Sequence, residues 1–208
     1  MTVKLTPWYL VRHAPVAAVR KGIYAEADGA ANLPNLPHIK ALANSLPDEA
    51  LWYVSPLRRT RQTADALRKQ MTKPGEMAII GSLREQNFGD WQGLSFEQIW
   101  QEIKELPVHN WSLLAGGTPP PGGESFEALY TRVGDFLEEN MAVQTERPRV
   151  LVTHAGVIRA LIGTMLGLTA EKALSLGSEV FSVSKLLHQS GQGQGGAWRL
   201  EFLNRIYL

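Results

Sequence analysis

Trp8-Tyr9-Leu10-Val11-Arg12-His13-Ala14 is a short apolar run that ends abruptly in arginine and histidine, with a small residue and then Pro15 behind them. A run of this length bounded by proline reads as a buried strand that carries two cationic-capable side chains to its C-terminal edge. Ligands of open α/β sheets bind outside that edge. The stretch therefore points to His13 as a nucleophile and to Arg12 as the group that holds the phosphate it attacks. Alone, a histidine in such a place is more often a hydrogen-bonded structural residue, so the reading depends on partners elsewhere in the chain.

The same arrangement recurs downstream. Leu51-Trp52-Tyr53-Val54 is a second apolar strand, followed by Ser55-Pro56 in N-cap and first-helical order. A helix follows from Leu57 to about Met71, with Leu57, Ala64, Leu67 and Met71 on its apolar face. Met77 to Ile80 reads as a third strand. Arg149 to His154 reads as a fourth, again ending in histidine, and the helix after it runs from Gly156 to Leu166 with Gly167 as its stop. Further helices are expected over His38–Leu46, from Phe96 to Ile103 behind the capping residue Ser95, and over Phe126–Leu137. Val180–Leu187 and Trp198–Leu203 read as a closing pair of strands joined by a Gly/Gln loop, Ser190 to Gly196. Pro15 to Pro37 is long for a loop inside a domain, which usually marks function. Strands alternating with helices predict an α/β fold, a three-layer α/β/α sandwich. Its central sheet is mostly parallel with an antiparallel edge, and residues 1–208 form a single domain.

Composition removes other classes. The 208 residues carry a formal net charge of +1 and are 44% hydrophobic and 20% charged. No global field draws such a chain to nucleic acid or an anionic membrane, so neither is an expected partner. There is no cysteine, which rules out disulfides, thiolate nucleophiles and Cys-based metal sites. The first residues show no apolar signal segment, and the longest apolar stretch, Val150–Leu168, is interrupted by His154 and Arg159. A cytoplasmic location is the default expectation.

If the strands are parallel neighbours, their C-terminal ends bring together Arg12, His13, His154 and the arginines just after Ser55-Pro56. Two imidazoles with two or more guanidiniums suit a phosphoryl dianion, because arginine matches its oxygens with paired donors. A histidine can carry phosphorus covalently and split one hard displacement into two easier ones. The leaving oxygen then needs a proton and the attacking water must lose one. Glu85, just past a strand end, is placed to do both.

These residues resemble the histidine phosphatase (phosphoglycerate mutase-like) superfamily in five blocks. Leu10-Val11-Arg12-His13 is similar to the start of the Arg-His-Gly signature. Ser55-Pro56-Leu57-Arg58-Arg59-Thr60-Arg61-Gln62-Thr63-Ala64 is similar to the block that places the pocket arginine, here Arg59. Leu83 to Gly93 resembles the block that supplies the proton donor, Glu85. Pro121-Gly122-Gly123-Glu124-Ser125 resembles a substrate-side loop. Val152 to Arg159 resembles the second-histidine block. The resemblance implies a phosphatase that forms a phosphohistidine on His13. It implies Arg12, Arg59 and His154 on the phosphoryl oxygens, and neither metal nor other cofactor. Ala155, Glu124, Ser125 and Trp91 are the candidate substrate-side residues. Glu124 and Ser125 also read as simple caps of the next helix. Trp91 and Trp100 also read as packing, Arg58 and Arg61 as a solvated helix face, and His38, His109 and His188 as structural.

The sequence departs from the signature at Ala14, where the family has glycine, at Pro15, and at Val19, where an asparagine often touches phosphate. The implied substrate is a small phosphorylated metabolite, with alpha-ribazole phosphatase as one specific activity. A homodimer is left open. The alternatives are a phosphoglycerate mutase, disfavoured by the short chain, and a non-catalytic phosphate-binding module.

Overall fold

The opening strand, β1 (Leu5–Arg12), lies inside a six-stranded sheet. The computed structural model describes residues 4–16, 22–23, 28–107, 109–141, 145–190 and 195–207. The other strands are β2 (Leu51–Val54), β3 (Glu76–Ile79), β4 (Arg149–Thr153), β5 (Val183–Gln189) and β6 (Trp198–Arg205), in the spatial order β3-β2-β4-β1-β5-β6. The first four in that order are parallel, and β5 and β6 add an antiparallel edge. The helices are α1 (Leu36–Ala43), α2 (Arg58–Arg68), α3 (Phe96–Glu102), α4 (Phe126–Met141), α5 (Ala155–Leu166) and α6 (Ala170–Ala173).

The layers follow from the strand order. The steps from β1 to β2 and from β2 to β3 run one way along the sheet, and the step from β3 to β4 runs back. Right-handed crossovers then put the connecting helices on opposite faces. Ile39 and Leu42 of α1 and Ala64 and Leu67 of α2 pack on Val11, Trp52, Val54, Val150 and Val152. Leu129, Val133 and Phe136 of α4 and Ile158, Leu161 and Met165 of α5 pack on Trp8, Leu10, Leu151 and Leu186. Successive residues of one strand thus feed the two cores alternately. Each fully buried aliphatic contributes on the order of 2 kcal/mol. A smaller cluster of Trp91, Ile99, Ile103 and Leu114 forms a cap beside the sheet.

The chains leaving β1 and β4 depart to opposite faces, so a crevice opens at the carboxyl ends of these neighbours. Register fixes what meets there: Arg12 pairs with Thr153, and Val54 with Val152. The next residues, His13, His154 and Ser55, therefore emerge side by side.

Several boundaries differ from expectation. α2 begins at Arg58 with Leu57 as its N-cap, so Ser55 is not the capping residue. β5 begins at Val183, because Phe181 has φ 58° and turns the chain just before it. Trp100 is 49% exposed and does not pack. Ile99 occupies the inward face of α3, and the next residue is turned about 100° away from it. α6 has no counterpart in the expected elements. Val19 and the Gly191–Gln194 part of the closing loop lie outside the described residues. Among the described residues no helix is long and apolar enough to cross a membrane.

Candidate active site

His13 is 1% exposed, and its backbone N–H donates to Thr153 O at 3.0 Å. Its Nδ1 lies 2.6 Å from the Ala14 carbonyl. A carbonyl only accepts, so Nδ1 carries the proton and Nε2 keeps the lone pair. Arg59 Nε–H donates to that Nε2 at 3.3 Å. Burial, reinforced by the Arg59 and Arg12 charges, pushes the His13 pKa down to about 3. The ring is therefore neutral, oriented, and nucleophilic at one defined nitrogen.

His154 stands beside it, with ring centroids 5.1 Å apart. Its Nε2 is 2.8 Å from Ser55 Oγ. That oxygen also receives the Leu57 N–H at 3.4 Å and keeps its own proton free to donate to Nε2. Burial first, and then His13 and the neighbouring arginines, hold His154 neutral far below the usual histidine range. With Ser55 donating to Nε2, the one proton of His154 sits on Nδ1, on the side of Glu85. This atom is buried, has no hydrogen-bond partner among the described residues, and lies 4.0 Å from Glu85 Oε2. A buried donor left without an acceptor costs about 1–3 kcal/mol, a cost that an anionic ligand removes. Arg12 Nε is a second buried atom without a partner, while Arg12 Nη1 donates to Ser178 O.

Glu85 reaches the site through a one-turn helix, Gly81–Leu83, that leaves β3. Thr153 Oγ1 donates to Leu83 O at 2.8 Å, which ties the turn to the end of β4. Arg132 of α4 grips it from outside, donating to Ser82 O at 2.6 Å and Arg84 O at 3.1 Å. Burial raises the Glu85 pKa, opposed by the Gln86 N–H and by the Arg59, Arg12 and Arg159 charges. Its side chain keeps 21% of its surface exposed, so water reaches it.

Above these residues lies a cleft of about 640 Å³ lined by Arg12, Arg59, Arg84, Glu85, Phe88 and Arg159 among others. A smaller chamber of about 260 Å³ shares Glu85 and Arg159 with it. Among the described residues no group of three His, Asp or Glu side chains is placed to hold a metal ion.

The sequence pattern of the histidine phosphatase superfamily, branch 1, matches residues 8–201. The chain belongs to the histidine phosphatase superfamily. A 2,3-bisphosphoglycerate-dependent phosphoglycerate mutase of Methylorubrum extorquens is 30% identical over 132 residues, which is 60% of this chain and 59% of the mutase. The chain thus spans less than two thirds of the curated relatives it matches. A solved mycobacterial hydrolase is 25% identical with a TM-score of 0.83, covering 99% of this chain and 93% of its own. A mycobacterial glucosyl-3-phosphoglycerate phosphatase, solved in complex with VO3, is 26% identical with a TM-score of 0.75, covering 96% of this chain and 98% of its own.

The superfamily pattern placed Arg12, His13, Arg59, Glu85 and His154, and the fold brings all five together. The substrate-side candidates divide. Ala155 lines the smaller chamber, and so does Trp91, whose Nε1 donates to Glu102 Oε2 at 2.6 Å. Glu124 lies at neither cavity. Its carboxylate accepts two bonds from Arg132, at 3.0 and 2.9 Å, and thereby steadies the residue that grips the Glu85 turn. Ser125 Oγ accepts the Ala128 N–H at 3.1 Å, capping the first turn of α4, and Ser125 lines neither cavity.

Three residues were missed. Ser55 looked like a helix cap, and only the strand register shows that it faces His154. Ser55→Ala is expected to lower kcat/KM about tenfold, the worth of one hydrogen bond to a reacting-site group. It should also move the His154 proton off Nδ1, which imidazole 15N shifts report. Arg159 follows Ala155 by four residues on α5, and that spacing was the signal that it shares the cleft-facing side. Gly156 has no side chain for a packing reason: a Cβ there would sit 2.9 Å from Glu85 Oε1. Gly156→Ala is expected to displace the carboxyl and cut kcat by about tenfold to a hundredfold. Its Tm should hold or rise, since alanine favours helix.

Proposed function

We propose that the protein is a phosphomonoesterase acting on a small phosphorylated metabolite through a phosphohistidine. The observation that carries this reading is His13, whose proton is tied down at Nδ1 and whose lone pair at Nε2 lies among Arg59, Arg12 and an unsatisfied His154 Nδ1–H. Nε2 attacks phosphorus in line, so the N–P bond forms as the bond from phosphorus to the ester oxygen breaks. Arg59 swings its donors from Nε2 to the phosphoryl oxygens, where Arg12 and His154 join it. Charge on those oxygens dominates the barrier to phosphoryl transfer. Glu85, whose proton is held more firmly because burial raises its pKa, acts in its acid form and gives that proton to the departing alkoxide. The resulting carboxylate then takes a proton from water as that water attacks phosphorus and releases His13.

A phosphoglycerate mutase is the second reading, favoured by the curated relatives. Hydrolysis is preferred because Glu85 keeps part of its side-chain surface exposed to water, and a mutase must keep its phosphoenzyme from water. A turnover screen across phosphosugars, phosphoglycerates, nucleotides and alpha-ribazole phosphate separates the two. Release of inorganic phosphate supports the phosphatase. Mutase turnover restored by 2,3-bisphosphoglycerate, without net phosphate release, overturns it.

A further inference from the structure

The smaller chamber adjoins the cleft and shares Glu85, Gln86, Phe88, Phe96, Leu113 and Arg159 with it. Its walls include Phe88, Trp91, Trp111, Leu113, Leu114 and Phe126, and its charged lining residues, Glu85 and Arg159, both belong to the boundary with the cleft. Arg12 and Arg59 line the cleft alone. A phosphoryl group held by those arginines has its bridging oxygen at Glu85, the acid that must protonate it. Whatever lies beyond that oxygen meets the chamber that begins at Glu85.

We propose that this chamber seats an aromatic or branched apolar leaving group, so that the preferred substrates are phosphate esters of apolar alcohols. The proposal rests on the phosphatase reading for the placement of the phosphoryl group. Volume agrees: about 260 Å³ holds one ring system, given that a cavity of about 150 Å³ accepts benzene. So does the rim. Trp111 is 70% exposed and Phe96 43%, and a ring seated against them covers apolar surface that otherwise faces water. Trp91 is pinned through Nε1 to Glu102, which presents a fixed indole wall at little entropic cost.

Calorimetry with propylphosphonate, 3-phenylpropylphosphonate and 2-carboxyethylphosphonate tests this, because none of them can be hydrolysed. The phenyl compound should bind about tenfold to a hundredfold tighter than the propyl compound, the worth of one buried ring. Trp111→Ala should remove most of that difference. Equal affinity for the phenyl and propyl compounds, or tightest binding of the carboxylate, overturns the proposal. If the phenyl compound binds tightly and no phosphorylated protein ever forms, the phosphatase reading fails while the apolar chamber stands.

Discussion

His13→Ala is expected to lower turnover of any phosphate ester by about ten-thousandfold or more, the usual consequence of deleting a covalent nucleophile. The neighbouring imidazole cannot take over. His154 Nε2 is engaged by Ser55 Oγ, and its other nitrogen carries the proton. His13 is also buried beside the Arg59 guanidinium, so its removal alters packing and electrostatics together. Tm and phosphate affinity measured on the same preparation separate lost chemistry from lost structure. A variant that keeps its fold and still turns over at the parental rate contradicts the assignment.

Glu85→Gln is the second large effect. For an alkyl phosphate, kcat should fall by about a hundredfold to ten-thousandfold, the usual worth of a general acid–base. With 4-nitrophenyl phosphate, whose leaving group needs no proton, formation of the phosphoenzyme should be nearly spared. Its hydrolysis still needs the base, so a burst of nitrophenolate should precede slow turnover. The pH profile carries the sign. The His13 pKa lies at about 3, so the nucleophile stays neutral through mildly acid pH. Glu85 is raised above its ordinary carboxyl value and loses its proton as pH climbs through that raised pKa. Turnover of alkyl esters should therefore fall on the alkaline side, and that limb should vanish in Glu85→Gln. The substrate's own second ionisation, near about pH 6, acts on both proteins and cancels in their ratio.

Much of this was readable because strand ends and residue types point the same way. Trp8 to Arg12 alternate between two apolar cores, and parallel register places the residues that follow β1, β4 and β2 at one edge. Arg59 was assigned its role through the resemblance, and helical spacing sets it apart from Arg58 and Arg61, which lie three apart on another face. In the fold Arg59 is buried against His13, and the other two are exposed. The departure at Ala14 has little structural consequence. Its φ is not in the left-handed region, its N–H donates to Thr63 Oγ1 at 3.0 Å, and its methyl joins the core beside α1 and α2. Ser55 and Gly156 were passed over for one physical reason: their contacts, with His154 and Glu85, span long sequence separations that no local pattern encodes. Glu124 pairs with Arg132 only eight residues away, but its role comes from the distant turn that Arg132 holds.

The most direct test of the account is the position of phosphorus on the trapped intermediate. Acid-free rapid quench after mixing with a phosphate ester, followed by peptide mapping and 31P NMR, reads both the residue and the ring nitrogen. The geometry predicts phosphorus on Nε2 of His13, because Nδ1 is committed to the Ala14 carbonyl. Phosphorus on Nδ1, phosphorus on His154, or turnover with no phosphoprotein at all would contradict it.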